Sequence, residues 1–133
     1  MPCPLNGSEA LLASNETDMT EIPEDLLHWA DEIEAAVTIC DADAKILYMN
    51  DRSRQTFARH GDIIGHDLMQ YHSQRAQEQI RHMLATGETN AYTIEKNGLH
   101  KLIFQTPWRR DGKIAGLVEL SMVIPADMPH YIR

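Results

Sequence analysis

The apolar residues of this chain recur first with a helical period and then in alternation. Between residues 22 and 35 they return every three or four positions, and Pro23, Glu24 and Asp25 suit the first turn of a helix. The pattern predicts an amphipathic helix over residues 22–35 with an apolar face formed by Leu26, Trp29, Ala30, Ile33 and Val37. Residues 1–21 are polar and have no sustained period, which predicts a flexible arm.

The middle of the chain predicts two short strands followed by helices. Ala36–Cys40 and Lys45–Met49 are rich in apolar and β-branched residues, and a turn separates them. Asn50 follows the second strand and can cap a short helix. Ser73 begins a longer helix that ends before a glycine cap at Gly87. The apolar face of that helix comprises Ala76, Ile80, Met83 and Leu84.

Three extended runs complete the pattern. Asn90–Lys96, Leu99–Trp108 and Lys113–Ile124 are separated by Asn97-Gly98 and Asp111-Gly112, which are strong hairpin signals. Alternation puts Leu102 and Phe104 on one face of the middle strand and Lys101 and Gln105 on the other. Two strands, a helical middle and three antiparallel strands predict an α+β domain over residues 36–124, with a proline-punctuated tail over 125–133. Such a domain leaves a space between helices and sheet that side chains fill or a ligand occupies.

The charge of the chain is concentrated at one end. The 133 residues include 20 acidic and 12 basic side chains, for a net charge of −8. Residues 1–34 carry nine of the acids and no Lys or Arg, whereas residues 35–133 have a balance of +1. The acidic arm disfavours nucleic acid and anionic membranes as partners, and in the remaining chain the bases are scattered. Two cysteines, no long apolar run and no basic leader predict a cytoplasmic protein.

Five blocks of the sequence resemble, in order, the segments of a PAS domain. They are Ala36-Val-Thr-Ile-Cys-Asp41, Lys45-Ile-Leu-Tyr-Met-Asn50, Ile64-Gly-His-Asp-Leu68, Leu84-Ala-Thr-Gly-Glu88 and Arg110-Asp-Gly-Lys-Ile-Ala-Gly116. The block Leu68-Met-Gln-Tyr-His72 resembles a PAS subgroup with Cys-His or Tyr-His at the start of the long helix, some members of which are fused to hemerythrin-like domains. Two departures are Ala44, where the family often has glycine, and Ile124-Pro125, where many relatives continue into a signalling helix.

The resemblance implies a five-stranded antiparallel sheet with helices on one face, a ligand pocket and a homodimer formed through the N-terminal helix. We expect the dimer contacts at Leu26, Leu27, Trp29 and Ile33. Without the usual signalling helix, we expect a module without its own output domain, which binds a small apolar or amphipathic molecule and signals in trans to a partner protein. The predicted pocket comprises Val37, Ile39, Met49, Phe57, Leu68, Met69, Ile80, Met83, Leu84, Tyr92 and Phe104, with polar groups from Asn50, Tyr71 and His72.

Other chemistries receive less support. Flavin photochemistry of the PAS type needs a cysteine after the middle glycine, and residues 65–72 contain none. Haem-sensing relatives place their histidine near Ala76, which cannot bind iron, so a haem redox or gas sensor would have to use His72, with Met69 as a second ligand. His60, His66 and His72 lie six apart and would not share a helix face, so no metal site is predicted.

An isomerase with His72 or Asp67 as the base is the remaining alternative. No phosphate-binding glycine loop or nucleophile motif is present in the sequence, which favours a binding protein over an enzyme.

Overall fold

A computed structural model describes residues 23–133 and shows one antiparallel sheet of five strands. Its strands are β1 (Ala36–Asp41), β2 (Ile46–Met49), β3 (Asn90–Lys96), β4 (Leu99–Arg110) and β5 (Lys113–Val123), in the spatial order β2-β1-β5-β4-β3. Two α-helices, α1 (Asp51–Thr56) and α2 (Gln74–Thr86), lie between β2 and β3 in the chain, with 3-10 helices at Ala58–His60 and Leu68–Tyr71. The α+β class and five-stranded sheet predicted from the sequence are confirmed.

The helices begin and end where their capping residues stand. The Asn50 side chain accepts a hydrogen bond from the Ser53 N–H at the start of α1, and the Ser73 hydroxyl accepts one from the Ala76 N–H at the start of α2. Gly87 ends α2 with a left-handed φ of 81°. The core packs the inner face of α2 against the β1–β2 end of the sheet and comprises Cys40, Ala44, Ile46, Met49, Ile63, Leu68, Ile80, Met83 and Leu117.

Three tight turns use left-handed backbone. Asn97 and Gly98 have φ angles of 53° and 77°, and Asp111 and Gly112 have 52° and 79°. Positive φ at both central residues is the geometry of a hairpin turn whose twist matches the strands, so both predicted hairpins are confirmed. Ala44, where PAS domains often have glycine, makes its turn with a φ of 64° although it carries a Cβ.

The segment before β1 differs from the long helix predicted for residues 22–35. Residue 22 and the predicted arm lie outside the described residues, and from Pro23 onward the structure has a 3-10 helix over Glu24–His28 followed by turns. The carbonyls of Ala30 and Asp31 accept hydrogen bonds from the Asn50 side chain and the Asp51 N–H, so they are turned away from a helix axis. Tertiary hydrogen bonds therefore replace helical ones in this segment.

A bulge in β5 sets the alignment of the last hairpin. Arg110 pairs with Lys113 and Arg109 with Ile114, but Trp108 pairs with Gly116, so Ala115 is the extra residue. Beyond the bulge, Gln105 lies opposite Glu119 and Phe104 opposite Leu120. The bulge therefore pairs polar residues with polar ones on one face of the sheet and apolar residues with apolar ones on the other.

The helices and the cleft beneath them lie on the polar face of β4. Lys101, Ile103 and Gln105 face the helices, so Phe104 lies on the opposite, outer face of the sheet. The same alternation puts Thr38 and Cys40 on the inner face and Val37 and Ile39 on the outer face. The prediction that Val37, Ile39 and Phe104 line the pocket is therefore wrong. None of the helices in residues 23–133 is long and apolar enough to cross a membrane.

Candidate ligand cleft

A cleft runs between α2 and the inner face of the sheet. It consists of three adjoining cavities of about 490, 210 and 20 Å³. His72 lines all three cavities, and Tyr92 lines the two larger ones. The residues predicted for the pocket that do line the cleft are Phe57, Leu68, His72, Ile80, Met83 and Tyr92.

The floor of the cleft is a polar row that crosses four strands. Thr38, Glu119, Gln105 and Asn90 are successive cross-strand partners on β1, β5, β4 and β3. Asn90 Nδ2 donates to Gln105 Oε1 at 3.0 Å, and Gln105 Nε2 donates to Glu119 Oε1 at 3.0 Å. Both hydrogen bonds of the row therefore donate in the same direction, toward the carboxylate of Glu119.

His72 is held in place by its neighbours in the chain. Its Nδ1 lies 2.9 Å from the carbonyl oxygen of Leu68. Because a carbonyl only accepts, this contact requires the proton on Nδ1, which leaves Nε2 as the acceptor nitrogen of the neutral ring. Gln77 braces the same turn by donating to the carbonyls of Met69 and His72, both at 3.1 Å.

Two ionisable groups along the cleft have raised pKa values. Desolvation raises the pKa of the Tyr92 hydroxyl, and the negative charge of Glu119 raises it further. Burial raises the pKa of the Cys40 thiol, whose side chain lines the smallest cavity. At neutral pH the Tyr92 side chain is therefore a protonated hydroxyl that can donate a hydrogen bond, and the Cys40 side chain is an uncharged thiol.

Asn50 has a structural role instead of the predicted ligand contact. It is 2% exposed, and its Oδ1 accepts hydrogen bonds from the N–H groups of Val37 and Ser53. Its Nδ2 donates to the carbonyls of Ala30 and Ala35 at 2.8 and 2.7 Å. With these four bonds both polar atoms are occupied, so the prediction that Asn50 contacts a ligand is wrong.

The predicted pocket residue Tyr71 belongs to an aromatic cluster beside the cleft, which also includes the cleft residue Phe57. Its hydroxyl lies 2.7 Å from His66 Nδ1, and its ring centroid is 4.8 Å from that of His60. Met49, Met69 and Leu84, also predicted for the pocket, belong to the core or pack against it. None of these four residues lines the three cavities of the cleft.

Sequence reasoning missed the polar floor, namely Thr38, Asn90, Gln105 and Glu119. It assigned polar positions of the strands to solvent, as is usual for a half-buried sheet. One signal was present in the sequence. A hairpin without a bulge places Phe104 opposite Glu119, whereas one extra residue pairs Phe104 with Leu120 and Gln105 with Glu119. The requirement that apolar residues pair with apolar ones and polar with polar ones across β4 and β5 would therefore have predicted the bulge.

The residues of the cleft do not fit haem. His72 lines the cleft but Met69, its predicted partner, does not, and the floor carries a carboxylate and two amides. A porphyrin needs broad apolar walls. No group of three His, Cys, Asp or Glu side chains within residues 23–133 is arranged to hold a metal ion. Asp67 caps the 3-10 helix Leu68–Tyr71 through the Met69 N–H, so only His72 of the two predicted bases lines the cleft.

Comparison with known proteins supports the order of elements described above. A model of the PAS fold matches residues 30–125. The chain belongs to the PAS family. A comparison with curated proteins gave no match.

Solved structures, among them a PAS domain, share the fold at low sequence identity. The Vibrio cholerae VqmA dimer without target DNA is 17% identical, with a TM-score of 0.61 over 79% of this chain and 52% of that chain. VqmA bound to DPO is 18% identical, with a TM-score of 0.61 over 78% and 58%. The PAS domain of the histidine kinase ThkA is 15% identical, with a TM-score of 0.57 over 68% and 99%. The chain thus spans about half of the VqmA chain and matches nearly all of the ThkA domain.

Proposed function

We propose that this PAS domain is a sensory module that binds a small molecule in the cleft between α2 and the sheet and acts as a dimer. The observation that carries the proposal is the cleft, with cavities of about 490 and 210 Å³ beside the buried core. Cavities of this order are typical of small-molecule sites. VqmA, which has the same fold, has been solved bound to DPO.

The floor of the cleft changes the predicted chemistry of the ligand. An apolar molecule would leave the carboxylate of Glu119 and the amide of Gln105 without compensation for lost water. We therefore favour a ligand with an apolar body, in contact with Ile80 and Phe57, and polar groups directed at the floor.

Blocking the cleft should abolish ligand binding without unfolding the protein. Ala76 lines the largest cavity, and Ala85 is exposed on the same helix. We expect Ala76→Phe to fill the space beneath α2, and Ala85→Phe to leave it open. Native mass spectrometry of the purified full chain should show a non-covalent small molecule on the wild type and on Ala85→Phe, and at least tenfold less on Ala76→Phe.

Equal ligand occupancy of the two phenylalanine variants, with unchanged circular dichroism, would place the ligand elsewhere. A wild-type protein that carries no small molecule and is not stabilised by any member of a metabolite library would contradict the sensory proposal as a whole.

We propose that the dimer forms through the outer face of the sheet and the segment before β1. The outer face carries the apolar rows that the sequence assigned to the core, among them Ile39 opposite Val118 and Phe104 opposite Leu120. The predicted dimer residues Leu27 and Trp29 are each 62% exposed. A second copy would cover these apolar groups, and VqmA is a dimer with the same fold.

A charge on the outer face should separate the subunits. We expect the wild type to have twice the mass of the 15.1-kDa chain in light scattering at micromolar concentration, and Phe104→Lys to have the mass of one chain. The lysine would have to be buried without a partner, which weakens association by roughly 3 kcal/mol or more. The control is Ala85→Lys on α2, which should remain a dimer. A monomeric wild type would refute this part of the proposal.

The signal would then pass from the occupied cleft to a partner protein through the sheet. The row of hydrogen bonds on the floor joins β3, β4 and β5, and the apolar rows on the outer face cross β1, β5 and β4, so β4 and β5 carry both. A ligand that shifts the floor therefore shifts the outer face as well. The target DNA of VqmA concerns that protein, and for this chain the absence of nucleic-acid binding remains a prediction from its charge, as does a cytoplasmic location from its sequence.

A further inference from the structure

Within residues 23–133, Glu119 lies in the cleft without an ion-pair partner. Its carboxylate lines the two smaller cavities and accepts a hydrogen bond from Gln105 Nε2. Among residues 23–133, the ion pairs are His28–Asp31, Arg54–Asp62, His82–Glu88 and Glu95–His100, and none includes Glu119. A negative charge held at the centre of a cleft strengthens the binding of a positive charge there, because the walls exclude water.

Three basic side chains line the cleft at some distance from Glu119 along the chain and the sheet. Lys96 and Lys101 line the 210-Å³ cavity, which Glu119 also lines, and Arg75 lines the 490-Å³ cavity. Lys101 is four residues from Gln105 on β4, which corresponds to roughly 13 Å along a strand. The centre of the cleft, where His72 and Glu119 both line the wall, therefore carries acceptors: the carboxylate and, in the neutral ring, His72 Nε2.

We infer that the cleft selects a small, planar, nitrogen-rich cation of the amidine or guanidine class, whose N–H groups donate to Glu119. The inference rests on the proposed ligand-binding function and adds the chemical class of the ligand. A carboxylate accepts two parallel N–H bonds from such a group, and charge assistance makes these bonds stronger than neutral ones. The flat apolar body would lie against Ile80, which lines both cavities beside α2.

Three probes of the same shape isolate the charge. Benzamidine, benzamide and benzoate are nearly isosteric and carry a positive, a neutral and a negative head group. We expect titration calorimetry on the full-length chain to give the order benzamidine, benzamide, benzoate from tightest to weakest, with at least about a tenfold difference between the first two. Benzoate binding tightest would overturn the inference.

Two variants make the test specific for Glu119. Glu119→Gln keeps an oxygen to accept the hydrogen bond from Gln105, so the floor stays paired, and it should remove the tenfold advantage of benzamidine while leaving benzamide unchanged. Glu88→Gln changes an exposed glutamate outside the cleft and should leave all three affinities unchanged. An advantage of benzamidine that persists in Glu119→Gln would show that the cation binds elsewhere.

The proposed function and the ligand class fail separately. If none of the three probes binds at about 10 mM while the purified protein carries another small molecule that Ala76→Phe excludes, the sensory function stands and the cationic class is wrong. If the protein carries no molecule and no compound binds, both are wrong.

Discussion

Replacing Asn50 by alanine is expected to lower the free energy of unfolding by about 4 kcal/mol, the largest effect we expect from a single side chain. The side chain is buried and bonds four backbone groups, the N–H groups of Val37 and Ser53 and the carbonyls of Ala30 and Ala35. Alanine removes the hydrogen-bond partner of all four groups at a position that is only 2% exposed. Domains of this kind are stable by only about 5–15 kcal/mol, so the loss removes a large share of the total.

Urea unfolding followed by circular dichroism measures this change. For a domain of this length the loss corresponds to a melting temperature lower by roughly 15 °C. Asn50→Asp keeps the two accepted bonds and loses the two donated ones, so its stability should lie between the wild type and Asn50→Ala. Asp51→Ala, at the next and exposed position, should cost less than about 1 kcal/mol. Equal losses of unfolding free energy in Asn50→Ala and Asp51→Ala would show that the four hydrogen bonds of Asn50 do not stabilise the domain.

Gly116→Ala should destabilise the domain by about 3 kcal/mol through a direct clash. A Cβ on Gly116 would lie 1.8 Å from the carbonyl oxygen of Cys40 and 2.8 Å from the Cα of Asp41, both on the neighbouring strand β1. It would also lie 2.7 Å from Trp108 Nε1, which donates to the Cys40 carbonyl at 3.0 Å. Backbone atoms cannot rotate away, so β1 and β5 must separate at this point.

The matched control for this clash is Gly112→Ala. Gly112 has a φ of 79° and no atom within 4 Å of its added Cβ, so the control reports the cost of left-handed backbone alone, about 1 kcal/mol. Thermal unfolding should show a melting temperature roughly 10 °C lower for Gly116→Ala and about 4 °C lower for Gly112→Ala. A smaller effect at Gly116 than at Gly112 would mean that the two strands are not in close contact there.

Elements specified by neighbouring residues were predictable from the sequence. The hairpin at Asn97-Gly98 and the helix between Ser73 and Gly87 were placed correctly. Their signals, the residues that tolerate positive φ and the side chains that cap a helix, act within four residues of the backbone they control. The order of these local elements was enough to indicate the fold.

The candidate site was predictable only in part. Ile80 and Met83 were predicted to line the cleft and do so, because helix periodicity fixes which positions share a face. His72, predicted at the entry to the helix, lines the cleft from an extended residue just before α2. Asn50 was predicted as a cap, which is confirmed, but its bonds to Ala30 and Ala35 join residues 20 and 15 positions away. No pattern of neighbouring residues predicts hydrogen bonds between positions so far apart in the sequence.

The amino-acid sequence by itself determined the five strands, the long helix α2, their order and the alternation of faces along each strand. The tertiary structure decided which sheet face the helices cover, and this choice moved Phe104 to the outer face and brought Gln105 and Glu119 into the cleft. The alternation of apolar and polar residues along a strand separates its two faces but does not say which face the helices cover. It therefore cannot distinguish an apolar face in the core from an apolar face that binds another subunit. The distinction follows from the bulge at Ala115 and from the path of the chain over the sheet.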